Sequence, residues 1–253
     1  VSSYAQLVPD FESICRSAID VALKSRSQGI KRELKPDGSL VTQVDKEVEL
    51  FFREKLEVLL PGSSIWGEEF GQPEKMTDEL WVIDPIDGTS NFAFGSPIWG
   101  ITVALTTPEH VEFGVIALPD LNEFYTATRG NGSFCNGQRI APIQAGPIRP
   151  EELLSYNETV LRTHIEQPIP GKMRCSGAVV VDATFTAMQR YRGFIGMSEK
   201  LYDDAAGMLI AQEANADVRY ADGRPIDLRQ LRDGKKLDPW LIFPKDSGFK
   251  LIR

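Results

Sequence analysis

Histidine and cysteine are scarce in this chain of 253 residues. There are two histidines, His110 and His164, and three widely spaced cysteines, Cys15, Cys135 and Cys175, with no C-x-x-C pair. A Cys/His zinc centre is therefore not expected, and an odd cysteine count argues against a disulfide framework. The thiols are expected to be buried and free, as in a reducing compartment. Long apolar runs are missing too, since none approaches the ~20 residues that span a bilayer. The N-terminal stretch lacks the charged-then-apolar order of a signal peptide, so the expected location is cytoplasmic with no membrane contact. Runs of Lys or Arg are also absent, and the net charge is −8. No basic stripe is available to neutralise the phosphates of a nucleic acid polymer. Small phosphorylated molecules remain open as ligands, because divalent cations reverse the local sign of an acidic pocket.

What is present is an ordinary globular composition, 42% hydrophobic and 25% charged. It suffices for one large domain or two closely joined halves. Phe11, Ile14, Cys15, Ala18, Ile19 and Ala22 recur at steps of three and four, which predicts a helix. After a turn at 35–39, a second helix is expected near Asp45, with Val48, Phe51, Phe52, Leu56 and Leu59 on its apolar face and a stop at Pro61-Gly62. Short apolar runs at 81–83, 101–105 and 111–118 read as strands. Gly130-Asn131-Gly132 and Asn136-Gly137 read as hairpin turns. The Pro-rich passage 142–150 is the expected joint between an N-terminal half (1–146) and a C-terminal half (147–253) of one compact unit. Beyond it, 153–160 reads as a strand, 177–190 as a helix and 203–215 as a helix with a small-residue face. Interleaved helices and strands imply a layered α/β or α+β architecture.

The segment Trp81-Val82-Ile83-Asp84-Pro85-Ile86-Asp87-Gly88-Thr89-Ser90-Asn91-Phe92 carries the chemistry. A strand ends at Asp84, Pro85 bends the chain, and Asp87 follows three residues later, so one turn can aim both carboxylates at a common point. Gly88 lets backbone approach a ligand closely. Thr89 and Ser90 are suited to begin a helix, whose free N–H groups favour an anion. Acidic side chains beside an anion site call for cations between them, and hard oxygen donors with phosphate point to Mg²⁺ rather than zinc. Asp-Pro and Asp-Gly are also ordinary turn dipeptides. Two further acidic segments, Gly67-Glu68-Glu69 and Tyr202-Asp203-Asp204-Ala205-Ala206-Gly207, favour the functional reading.

In order and spacing these three segments resemble the signatures of the inositol monophosphatase family. The turn and helix start at 38–45 and the glycine-rich hairpin at 130–137 extend the resemblance from about Phe11 to Asp227. It implies an α+β fold, a layered α-β-α-β-α sandwich, usually a homodimer. It also implies hydrolysis of a small phosphate monoester with two or three Mg²⁺ ions, Mn²⁺ as a substitute and Li⁺ as an inhibitor. Carried over by position, Glu68, Asp84, Asp87, Asp203 and the Ile86 carbonyl are the implied metal ligands. Gly88 and Thr89 hold phosphate through backbone N–H groups. Asp45 and the Thr89 hydroxyl orient the attacking water, so no phosphoenzyme is expected.

The substrate-facing positions depart from the family's pattern. Gly177, Ala178, Gly196 and Glu199 are the expected substrate contacts. However, Gly177-Ala178-Val179 lacks the frequent Ser or Thr, and Gly196 stands where relatives acting on inositol phosphate often carry an acid. Glu199 is the candidate replacement. Lys35 is a candidate for phosphate or metal-bound solvent, and a solvated surface role is its competitor. Phe92 and Trp99 are expected in the core, and Arg129 and Arg174 in surface or structural pairs. The resemblance implies an inositol-, sugar- or polyol-like leaving alcohol, with histidinol phosphate, fructose bisphosphate and phosphoadenosine phosphate as alternative substrates. A non-catalytic phosphosugar-binding protein is the alternative of a different class.

Overall fold

A computed structural model describes residues 4–162, 170–197 and 199–249; His164 and Ser198 lie outside them. In chain order the helices are α1 (Val8–Ser27), α2 (Gln43–Leu59), α3 (Thr89–Ala93), α4 (Glu158–Arg162), α5 (Val179–Ala187), α6 (Leu201–Glu213) and α7 (Leu228–Arg232). The strands are β1 (Arg32–Leu34), β2 (Leu40–Thr42), β3 (Ser64–Gly67), β4 (Leu80–Asp87), β5 (Gly100–Thr106), β6 (Val111–Leu118), β7 (Glu123–Thr128), β8 (Gly132–Cys135), β9 (Gln138–Arg139), β10 (Leu153–Tyr156), β11 (Lys172–Arg174), β12 (Gly193–Gly196), β13 (Asp217–Tyr220) and β14 (Trp240–Phe243).

Strands β3 to β9 form a seven-stranded sheet in sequential order. Only its β3–β4 pair is parallel. The second sheet has the order β11-β10-β12-β14-β13 and mixes parallel with antiparallel pairs. The alternation along β4 explains the layering. Trp81 and Ile83 pack with Phe11, Cys15, Val48 and Phe52 of α1 and α2. Leu80 and Val82 face the opposite way, into a core shared with α5, α6 and the inner face of the second sheet. Successive strand residues point to opposite faces, so one strand feeds two helical layers. The outer face of the second sheet buries Leu154, Tyr156, Ile195, Leu241 and Phe243 with Val160 and Phe249. The result is the layered α-β-α-β-α sandwich of an α+β protein.

The small residues of α6 serve close approach. A Cβ on Gly114 of β6 would meet the Ala206 Cβ at 2.8 Å, and one on Gly207 would meet the Ala183 Cβ of α5 at 2.8 Å. The helix carrying Asp203 therefore lies directly on the seven-stranded sheet.

Several boundaries differ from the sequence reading. The expected strand 153–160 ends at Tyr156, because the Asn157 Oδ1 accepts the Val160 N–H at 3.0 Å and turns the chain into α4. The helix expected over 177–190 is shorter, Val179–Ala187, after Gly177 takes a left-handed φ of 74°. Helix α6 begins at Leu201 rather than Asp203. Cys15 is buried, Cys135 half-buried and Cys175 exposed, so the expectation of buried thiols holds for Cys15 alone. No helix among the described residues is long and apolar enough to cross a membrane.

Candidate active site

Asp84 and Asp87 sit at the C-terminal end of β4, where the pairing with β5 is irregular between them. Such an irregularity re-aims side chains out of the strand's alternation. The Asp84 Oδ1 accepts the Ile86 N–H at 2.9 Å, and the Asp87 Oδ2 accepts the Val180 N–H at 2.7 Å, which ties β4 to the first turn of α5. The Asp203 Oδ2 accepts the Lys200 N–H at 2.7 Å. Asp203 is thus the third residue of α6 and bonds back to the residue before the helix, a capping arrangement. It has both the structural role and the place expected of a ligand.

Oxygens of Glu68, Asp84 and Asp203 lie within 4.8 Å of one another. Three sequence segments separated by up to 135 positions are thereby brought to one point. Asp87, the other expected ligand, is not in this trio: it is held toward α5, yet near enough for its charge to act on Asp84 and Asp203. Burial raises the carboxyls of Asp84 and Asp203 well above the usual range, and repulsion from Glu68 and from neighbouring aspartates adds to it. Burial pushes Asp87 up to about 8. Carboxyls so crowded hold protons unless cations replace them. The donor set is oxygen alone, which suits a hard divalent cation such as Mg²⁺.

Asp45 and Thr89, the pair expected to orient water, are in contact. Asp45 is buried at the start of α2, where its Oδ2 accepts the Thr42 N–H at 2.9 Å and the Thr42 hydroxyl at 2.5 Å. The Thr89 hydroxyl lies 3.1 Å from the Asp45 Oδ1 and 2.9 Å from the Ile86 carbonyl. Burial raises the Asp45 carboxyl, and the bonds from Thr42 oppose the rise. Gly88 has φ 80°, and a Cβ there would meet the Ala178 Cβ at 2.9 Å and the Ile98 carbonyl at 3.1 Å. The expected phosphate turn is therefore covered by Gly177-Ala178, and Asn91 fixes that approach by donating to the Ser176 carbonyl at 2.9 Å.

The remaining positions divide. Lys35 Nζ lies 2.7 Å from both the Glu68 and Glu69 carboxylates, so it is paired with the acidic cluster rather than solvated. Phe92 and Trp99 are core residues, edge to face at 4.6 Å. Arg129 pairs with the buried Glu112, while Arg174 is exposed and bonds its neighbour's carbonyl. Gly196 has no room for a larger residue: a Cβ would stand 2.4 Å from the Trp240 Nε1. The Glu199 carboxylate is buried, held by Asn157 Nδ2 and by the Trp240 Nε1 at 3.3 Å.

Four buried acids escaped sequence reasoning or were read only as neighbours: Glu49, Asp182, Asp204 and Glu112. Asp182 accepts the Ser155 hydroxyl at 2.6 Å, and burial raises it to about 7. Asp204 buries both carboxylate oxygens without a hydrogen-bond partner. A charge on the apolar face of a predicted helix was the signal for Glu49, one turn after Asp45 among Val44, Val48 and Phe52.

Together the elements define a layered α+β protein with a buried, crowded, all-oxygen carboxylate centre. A model of the inositol monophosphatase family matches residues 6–235, and the chain belongs to that family, whose members are phosphatases acting on phosphate monoesters. It is 30% identical to an inositol-1-monophosphatase of Mesorhizobium japonicum over 209 residues, 78% of this chain and 77% of that protein. Identity to a histidinol-phosphatase of Chlorobaculum parvum is 38%, over 114 residues that make up 45% of this chain and 43% of that one. A solved IMPase/NADP phosphatase complexed with Mg²⁺ and phosphate shares the fold, with TM-score 0.80 and 24% identity over 95% of this chain and 92% of that one.

Proposed function

We propose that the chain hydrolyses a small sugar- or polyol-like phosphate monoester, with Mg²⁺ held by Glu68, Asp84, Asp87, Asp203 and the Ile86 carbonyl. The observation that carries this reading is the meeting of Glu68, Asp84 and Asp203 oxygens within 4.8 Å. Bound Mg²⁺ supplies charge neutralisation and lowers the pKa of coordinated water. The chain's own residues do the rest. Asp45, through its contact with the Thr89 hydroxyl, orients the attacking water and accepts its proton. The backbone at Gly88 and Thr89 receives the phosphoryl oxygens, with Gly177 and Ala178 closing over that turn. Water attacks directly, in line with the leaving alcohol, and positioning carries most of the rate.

The alcohol is met by the wall formed by Gly196 and Glu199. With Trp240 filling the space beside Gly196, the acceptor for substrate hydroxyls or an amine moves to Glu199. This keeps histidinol phosphate beside inositol phosphate as a candidate. Phosphate release measured over a panel of inositol, sugar, histidinol and nucleotide monoesters, with and without Mg²⁺, tests the reading. Mg²⁺-dependent turnover of at least one ester is expected. Binding of a phosphosugar with no turnover of any ester would overturn it in favour of a non-catalytic binding protein.

A further inference from the structure

Glu49 has no part in the reaction just outlined, yet it is fully buried. It lies one turn after Asp45 on α2, so the two carboxylates share a helix face. Its Oε2 accepts the Glu69 N–H at 2.7 Å and its Oε1 the Phe70 N–H at 3.3 Å. Arg53, a further turn along α2, donates through Nε to the Glu49 Oε1 at 2.9 Å and through Nη2 to the Gly71 carbonyl at 3.2 Å. The loop 67–71 is closed at its ends by the Gly71 N–H on the Gly67 carbonyl at 3.0 Å. Gly67 is required by the same arrangement, because a Cβ there would stand 2.0 Å from the Glu49 Oε1. The residue inside this closed loop that meets Asp84 and Asp203 is Glu68.

We infer that Glu49 is a positioning residue for the metal centre: its carboxylate anchors the 67–71 loop from beneath and so aims Glu68 at Asp84 and Asp203 before a cation arrives. The inference rests on the Mg²⁺-site reading of that cluster. Two backbone N–H groups are turned inward onto Glu49, while the Glu69 side chain pairs with Lys35 and the Glu68 side chain reaches Asp84 and Asp203. A ligand held in place beforehand costs less ordering when the ion binds. Lys35 bonds Glu68 and Glu69 from the other side, but as a cation it competes with a metal ion for the Glu68 carboxylate. Within the loop Glu49 bonds backbone alone, the N–H groups of Glu69 and Phe70, so its grip persists whichever cation Glu68 holds.

The test compares Glu49→Ala and Glu49→Gln with wild type in the full chain, metal-free and with Mg²⁺. Amide hydrogen exchange is read in the metal-free protein, Mg²⁺ binding by calorimetry, and kcat at saturating Mg²⁺. For Glu49→Ala, exchange across 67–71 is expected to quicken about tenfold while α1 and β5–β7 keep their protection. Its Mg²⁺ dissociation constant should rise about 10- to 100-fold, with a much smaller change in kcat once the site is saturated. Glu49→Gln keeps one carbonyl acceptor and is expected to fall between; it is also the variant to use if the alanine form does not fold. Wild-type Mg²⁺ affinity in the folded variants, or exchange quickened across the whole molecule, would reduce Glu49 to a general stability residue and overturn the proposal. A wild-type protein that binds no Mg²⁺ overturns the metal-site reading first, and the wild-type titration distinguishes that failure from the other.

Discussion

Asp84, Asp45 and Asp203 on one side of the site and Glu199 on the other are all carboxylates taken from water, but they are held differently. The first three accept backbone N–H groups, those of Ile86, Thr42 and Lys200, each within three residues in sequence. Glu199 also takes local backbone bonds, but it depends in addition on the side chains of Asn157 and Trp240, 42 and 41 positions away. A backbone-held carboxylate is set by the local course of the chain and survives changes in its neighbours. A side-chain-held one moves when a single partner is substituted. On the proposed function, the constant half is the hydrolytic one, resting on local backbone contacts, and the variable half is the substrate-facing one around Gly196 and Glu199, which leans also on distant side chains.

The largest expected effect lies in the constant half. Asp87→Asn keeps an oxygen for the Val180 N–H but removes a ligand charge, and kcat should fall on the order of a thousandfold, about 4 kcal/mol of lost stabilisation. The fold should be retained by circular dichroism; near-normal activity would falsify the metal-site assignment. The crowding of these carboxyls sets a pH dependence next. Asp84, Asp87 and Asp203 hold protons in the folded state that the unfolded chain, with ordinary aspartates near ~4, has already released. The metal-free protein is thus most favoured by these groups below about pH 4 and loses stability as pH rises toward about 8, where Asp87 ionises. Melting curves in chelator should fall over that range and flatten when Mg²⁺ is added. A metal-free melting temperature that climbs from pH 5 to 8 contradicts the assignment.

Thr89→Ala keeps the carboxylates and removes the hydroxyl proposed to relay between Asp45 and the attacking water. A loss of about a hundredfold in kcat with little change in KM is expected from steady-state kinetics. In the variable half, Gly196→Ala forces a methyl group against the Trp240 indole and should cost about 1–3 kcal/mol of unfolding free energy in denaturant titrations. The smallest effect expected is that of Glu199→Gln, a change of about tenfold in KM that differs among esters, with kcat on the best substrate nearly kept. A uniform loss across the panel would show that Glu199 supports the fold rather than choosing the alcohol.

Much of the constant half was legible in the sequence, because its geometry is local. Asp84-Pro85-Ile86-Asp87-Gly88 predicts a strand end, a bend and a close-approach turn from residue types alone, and the structure adds the irregular pairing that aims the two aspartates. Asp45 and Asp203 were readable as helix-start acids for the same reason. Trp240 beside Gly196 was not, since nothing in a β-strand's alternation says which neighbouring strand it will face. Glu49 stayed hidden because an apolar-face count skips charged residues, so a buried carboxylate among valines registers as noise. The strand predicted over 153–160 failed at Asn157, whose side chain bonds the Val160 N–H and competes with extension of the strand.

The packing of α6 onto the seven-stranded sheet has a consequence for synthesis of the chain. Val82, Ala104 and Ile116 share a core with Ala205, Ala206 and Leu209. A ribosome that has completed the sheet through β9 has roughly sixty residues still to add before α6 emerges, several seconds at about 5–20 residues per second. During that interval one face of the sheet is bare apolar surface. The same element completes the carboxylate cluster, so the nascent chain brings Asp203 to Glu68 and Asp84 in the step that ends its exposure to aggregation.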